Sequence, residues 1–138
     1  MSIKTTKHLK FKVIEELHED KKELLFKLET VFKNKLLEKE YRQFCLDILN
    51  EYRSIIEKFN KSVEANVAYI KKVYEENSLG IENEYLIDLQ EHLLYEQKCE
   101  NRIFEYTEEK TYKIAKTTDH LYVEMTKFEL RAGLKVVY

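Results

Sequence analysis

The sequence contains no proline and no tryptophan, and only two glycines and two cysteines in 138 residues. With Gly80 and Gly133 as the sole glycines, the chain lacks the punctuation that hairpins, glycine-rich phosphate loops and doubly wound sheets require. Neither a P-loop nor a dinucleotide fingerprint is present, since each needs several glycines at fixed spacing. No zinc-ligand spacing occurs either. No apolar run approaches the ~20 residues of a membrane span, and residues 1–12 lack the apolar core of a secretory signal. A cytoplasmic location is therefore expected, or the host-cell interior if the chain is phage-encoded. The two cysteines fit that setting. If the chain turns near Ser78 to Gly80, Cys45 and Cys99 stand about 20 Å apart along antiparallel helices, too far for a disulfide. Both are expected as unpaired thiols packed as small apolar groups.

What is abundant points to helix. Hydrophobic residues make up 43% and charged residues 36% of the chain, enough for one core with large polar faces, and Glu, Lys and Leu suit helices. The expected fold is all-α, a single domain built as an elongated, coiled-coil-like antiparallel bundle of three long helices. The first, about 7–33, carries Val13, Ile14, Leu17, Leu24, Leu25, Leu28, Val31 and Phe32, with Thr5 or Thr6 as N-cap. The second, about 37–77, runs from Leu37 and Tyr41 through Ile48, Tyr52, Ile56, Phe59 and Val63 to Ile70 and Tyr74. At about 100° per residue the two stripes differ in phase by roughly 130°, so the chain breaks near Phe32 to Leu36, with Asn34 as the turn residue.

Glu76-Asn77-Ser78-Leu79-Gly80 is a stronger turn signal. Beyond it one stripe runs from Leu86, Leu89 and Leu93 through Ile103, Thr107, Ile114 and Leu121 to Met125 and Phe128. Steps of three and four without a phase jump predict one long helix over about 81–131, roughly 75 Å in length. A fourth helix follows if Thr117-Thr118-Asp119 caps a separate last segment. The tail 134–138 is short, apolar and β-prone, suited to folding back on the bundle or to adding to a partner.

The net charge of −2 conceals a gradient. Residues 1–40 carry ten basic against eight acidic side chains, residues 41–80 six against six, residues 81–112 three against nine, and residues 113–138 five against three. This pattern argues against nucleic acid as the main partner. The basic positions Lys4, Lys7, Lys10 and Lys12 are the one feature that suits phosphate contact, and equally suit a frayed, soluble terminus.

Three antiparallel helices of unequal length imply a surface. The first helix reaches only to about Val63 on the second, leaving a two-helix prong that displays Val63, Val67, Ile70, Val73, Tyr74, Tyr85, Leu86, Leu89, Leu93 and Leu94. Burial at roughly 25 cal/mol per Å² of apolar area favours a second copy or another protein covering it. Ten tyrosines add to this reading, because a tyrosine off the core stripe is common at interfaces. The expected partner-binding set is Val63, Val67, Ile70, Tyr74, Tyr85, Leu89, Tyr95, Tyr106 and Tyr112.

Residues for chemistry are sparse. Glu15 and His18 have the Glu-x-x-His spacing of carboxylate-bridged metal bundles, but Leu89 and Thr117 stand three positions before His92 and His120, so the second half is missing. Asp88 with His92 and His120 with Glu124 are helix-surface pairs without a nucleophile beside them. Cys45 sits between Phe44 and Leu46, an inert setting. No catalytic residue, metal, cofactor or small-molecule substrate is expected, and the function read from the sequence is a non-enzymatic protein–protein interaction module: an adaptor, small inhibitor or assembly subunit. In outline the hairpin around Ser78-Leu79-Gly80 resembles the WXG-type secreted helical proteins, whose helices meet at a Trp-x-Gly turn. Here the tryptophan is absent, the helices are longer, and the resemblance covers the hairpin alone. It implies a secretion-type hairpin or its chaperone as the alternative role.

Overall fold

In a computed structural model, residues 3–34, 37–76, 81–115 and 122–136 are described. They form four helices: α1, Ile3–Val31; α2, Glu38–Glu76; α3, Ile81–Ala115; and α4, Tyr122–Leu134. The chain is all-α, as its composition predicts, and its helices pack against one another as a bundle. Lys27 with Glu51 and Asp20 with Lys58 set α1 antiparallel to α2. Arg53 with Glu108 and Asn60 with Asn101 do the same for α2 and α3. Arg131 with Glu29 and Lys127 over the Phe32 ring run α4 antiparallel to α1.

The α1–α2 connection is built locally. Lys33 and Asn34 donate their backbone N–H groups three residues back, to Thr30 and Val31, which tightens the last turn of α1. Leu37 then occupies the N-cap position, and the Glu40 carboxylate accepts its backbone N–H at 3.2 Å, the backward half of a capping box. Phe32 stacks on Tyr41 with ring centroids 5.1 Å apart and meets Phe44 edge-on. These rings fix how far α2 is displaced along α1.

That displacement corrects the prong. Because Phe32 sits against Tyr41 and Phe44 and α1 begins at Ile3, the register of the Lys27–Glu51 and Asp20–Lys58 pairs carries the start of α1 toward the last turns of α2. Val63, Ile70, Val73, Leu86, Leu89 and Leu93 are buried in the same core as Val13 and Leu17. The chain covers them itself.

The single long helix over 81–131 is corrected as well. A Cβ added at Gly133 would stand 2.3 Å from the Thr107 hydroxyl, whereas in one straight helix those positions would lie roughly 40 Å apart. Hence α4 is folded back along α3. The physical reason is length: a continuous rod would overshoot the 39-residue α2 and leave its last turns with nothing to pack against. Folding back buries Leu130 and Leu134 completely, each a gain of about 1.5–3 kcal/mol. The Ser78 to Gly80 turn, Leu121 and the Thr117-Thr118-Asp119 segment lie outside the described residues. Leu134, read as the first residue of a β-prone tail, is the last residue of α4 and sits in the core; Val137 and Tyr138 lie outside the described residues.

The bundle therefore has four helices at one end and three at the other, and a buried polar cluster marks the boundary. Lys21 interrupts the α1 stripe of Leu17, Leu24 and Leu28 and is only 1% exposed. Its ammonium lies 3.0 Å from a Glu100 carboxylate oxygen on α3 and 5.8 Å from the centre of the Tyr52 ring on α2. Tyr52 in turn donates its hydroxyl to the Gly133 carbonyl at 3.0 Å and meets Phe104 edge-on. Burial first, and the Glu100 charge second, push the Tyr52 phenol well above its ordinary pKa. The C-terminal end of α4, where backbone carbonyls concentrate negative partial charge, thus lands on a hydroxyl donor near a cation. A buried pair of this kind adds little net stability, but losing one member leaves a charge stranded, so it disfavours other helix registers.

Candidate functional site

The expected partner-binding residues separate into four groups. Val63, Ile70 and Leu89 lie in the core, and Val67 and Tyr85 are half-buried against it. Tyr74 is exposed beside Ile87 at the rim of a shallow groove of about 200 Å³ between α2 and α3. Tyr95 and Tyr106 project from the outer flank of α3, 63% and 56% exposed. Tyr112 is on the opposite flank, where its hydroxyl accepts a 3.0 Å hydrogen bond from Arg53.

Arg53 holds Glu108 through two nitrogens, at 3.1 and 2.6 Å, and donates to Asn50 at 2.8 Å. These bonds, with Glu108 first and Tyr112 second, raise its pKa further. Below it, Asn60 Oδ1 accepts from Gln97 and Asn101 while its amide donates to Asn101 at 3.0 Å. Both networks cross the α2–α3 seam and fix its register.

On the other flank of α3 lies the more open surface. A groove of about 280 Å³ runs between α3 and α4, with Ile103 and Tyr106 on one wall, Glu129 and Ala132 on the other, and Arg102 at one end. In its lining Ile103 is 41% exposed, and elsewhere on α4 Met125 is 46% and Phe128 67% exposed. The Lys110 ammonium stands 5.4 Å from the Tyr106 ring centre, a cation–π contact that steadies the ring in place. Further along the flank, a hydrogen bond with Cys99 raises the Tyr95 phenol pKa.

Ile103, Met125 and Phe128 were expected in the core seam, and their exposure is a correction. On α3 the inward positions are Phe104, Thr107, Thr111 and Ile114, and on α4 they are Thr126, Leu130, Gly133 and Leu134. Phe104 outcompetes its neighbour Ile103 because its ring meets Tyr52. Met125 and Phe128 fall outside because the stripe was counted across a helix that is in fact two. The sequence signal for the inward face of α4 is the set Leu130, Gly133 and Leu134, whose small member marks a close helix approach.

A wider cleft of about 420 Å³ between α1 and α2 is lined by Asp20, Glu23, Lys27, Glu51 and Lys58. Its lysines are spoken for, Lys27 by Glu51 at 2.8 Å and Lys58 by Asp20 at 3.1 Å. Ser54, also in the lining, donates its hydroxyl to the Asn50 backbone carbonyl at 3.3 Å. Glu15 is exposed and His18 half-buried on α1, and among the described residues no group of three His, Cys, Asp or Glu side chains could hold a metal ion. Lys4, Lys7 and Lys10 belong to the first turns of α1, and Lys12 is exposed. Among the described residues no helix is long and apolar enough to cross a membrane. The all-α bundle defines a fold class and no more: the chain matches no protein-family model, no characterised protein and no solved structure.

Proposed function

We propose that the protein is a non-enzymatic helical interaction module, an adaptor, inhibitor or assembly subunit, that docks another protein chain on the outer face of α3 and α4. The observation that carries this reading is an open groove between α3 and α4 lined by Ile103 and Tyr106, with Met125 and Phe128 exposed on the same α4 helix. Large aromatic and aliphatic side chains grouped at a surface mark contact sites more often than scattered ones do. The protein acts in the cytoplasm, or inside the host cell if phage-encoded.

The test is affinity capture from the native cell with the wild-type chain and with Tyr106→Ala and Phe128→Ala as baits. Capture by the wild type that drops at least tenfold in each variant, with far-ultraviolet circular dichroism and melting unchanged, supports the surface. Equal capture by all three baits, or no retained chain of any kind, overturns it.

A further inference from the structure

We infer that the occupant of the α3–α4 groove is a second copy of this chain, related by a two-fold axis passing near Tyr106; this rests on the interaction reading above and names its partner. Three observations converge on it.

The first is a step in the bundle. The 13 residues of α4 run alongside only part of the 35-residue α3, because Gly133, next to the end of α4, packs on Thr107. Beyond that point α1 covers the inner side of α3, while Ile103 and Tyr95 stay exposed on its outer side. A two-fold axis at the end of α4 lays the partner's α4 over this exposed outer side, where the α4 of the same copy does not reach.

The second is what the partner's α4 brings there. Met125, Phe128 and Ala132 share its outer side at helical spacing, and Phe128 is the most exposed side chain of the helix among the large apolar ones. Rotated about the axis, Met125 and Phe128 come over the stretch that exposes Tyr95 and Ile103.

The third is charge. Arg102 and Glu129 line the same groove, and neither has an ion pair or hydrogen bond among the described residues. From the Gly133–Thr107 contact, Glu129 lies about one turn from Tyr106 toward the C-terminus of α3, and Arg102 about one turn toward its N-terminus. Tyr106 is therefore near their midpoint. A two-fold there sets Arg102 of each copy against Glu129 of the other, two pairs at once, which is the self-complementarity an isologous contact requires. A foreign partner could match such charges, but a second copy matches them by symmetry alone.

Sedimentation velocity and light scattering over a wide concentration range provide the test. The wild type is expected to approach twice 16.8 kDa. Arg102→Glu and Glu129→Arg should each weaken the dimer at least tenfold, and the double variant Arg102→Glu/Glu129→Arg should restore it to within a few-fold of wild type. Since both side chains are exposed or half-exposed, circular dichroism should show all three variants folded. Tyr106→Cys in a Cys99→Ser background should form a disulfide-linked dimer on mild oxidation, which reports the axis independently of charge.

A wild type that stays monomeric at every concentration overturns the inference, as does a dimer untouched by the single charge reversals or not restored by the double one. If the monomer still captures a foreign chain in a Tyr106-dependent way, only the identity of the occupant fails. If it captures nothing, the interaction reading fails with it.

Discussion

Gly133 illustrates how one residue can reverse a general rule. In a helix interior, glycine is less stable than alanine by roughly 0.5–1 kcal/mol, so Gly133→Ala would ordinarily stabilise. Here the new Cβ would meet Thr107 at 2.3 Å from Oγ1, 3.0 Å from Cγ2 and 3.1 Å from Cβ. Thr107 has little freedom to yield, being buried with its hydroxyl donating to the Ile103 carbonyl at 2.8 Å. Gly133→Ala is therefore expected to lower stability by about 1–3 kcal/mol, the usual range for overpacking. In a Thr107→Ala background the same change should be neutral or stabilising. Denaturant midpoints in this double-mutant cycle decide the matter, and an equal effect in both backgrounds would contradict the contact. The hydroxyls of Thr111 and Thr126, also fully buried, have no hydrogen-bond partner among the described residues. Each unmet hydroxyl costs about 1–3 kcal/mol, so the α3–α4 seam is held less firmly than its burial suggests. Lys21 belongs to the same scale: its place among Leu17, Leu24 and Leu28 was open to reading as a mere interruption of a stripe, and only Glu100 and Tyr52 across the core explain why a lysine sits inward.

At the scale of elements, α4 is the informative one. Thirteen residues are too few for a stable isolated helix, so α4 exists because of what it docks on. Leu130 and Leu134 supply the apolar contact, Tyr52 receives its C-terminal end, and Arg131 ties it to α1 through two bonds to Glu29, 2.5 and 2.8 Å long. The Arg131 hydrogen bonds hold the Glu29 carboxyl below its ordinary pKa. A carboxyl depressed in the folded state stabilises fully above its unfolded value, about 4.3, and that contribution is lost as pH falls through the folded value. Both side chains are more than a third exposed, so solvent screening limits the effect to below about 1 kcal/mol. Amide hydrogen exchange should accordingly show α4 losing protection relative to the middle of α2 as pH falls below about 4. Glu29→Gln should remove that acid response and leave α4 uniformly less protected. An acid response unchanged by Glu29→Gln would show that another group governs it.

The whole molecule is an elongated bundle in two stages, with the four-helix end around Cys45, Ile48, Leu49 and Tyr52 and the three-helix end around Val63, Ile70 and Leu89. The two thiols report on it separately. Cys45 is fully enclosed in the four-helix end, and burial pushes its thiol up to about 12. Cys99 is half-buried on the outer flank of α3. With a thiol reagent at neutral pH and at dilutions where the chain is monomeric, Cys99 is expected to react while the protein is native, and Cys45 only through opening of the bundle, slower by several orders of magnitude. A Cys45→Ser variant identifies the slow phase, and a slow phase that survives in it would show that Cys45 is more accessible than its burial implies.

The sequence by itself determined what is local: the helical class, the phase change that separates α1 from α2 at Asn34, and the apolar stripes of α1 and α2. Each follows from periodicity, which assigns residues to faces within one helix whatever surrounds it. Only the tertiary structure decided that α1 covers the prong, that α4 turns back, that Phe104 points inward in place of Ile103, and that Met125 and Phe128 stand outside. Those outcomes depend on where neighbouring helices end and how far each is displaced along the next. Face periodicity carries no information about either length or displacement, so a stripe counted across two helices can run in phase to Phe128 while the chain has already reversed direction.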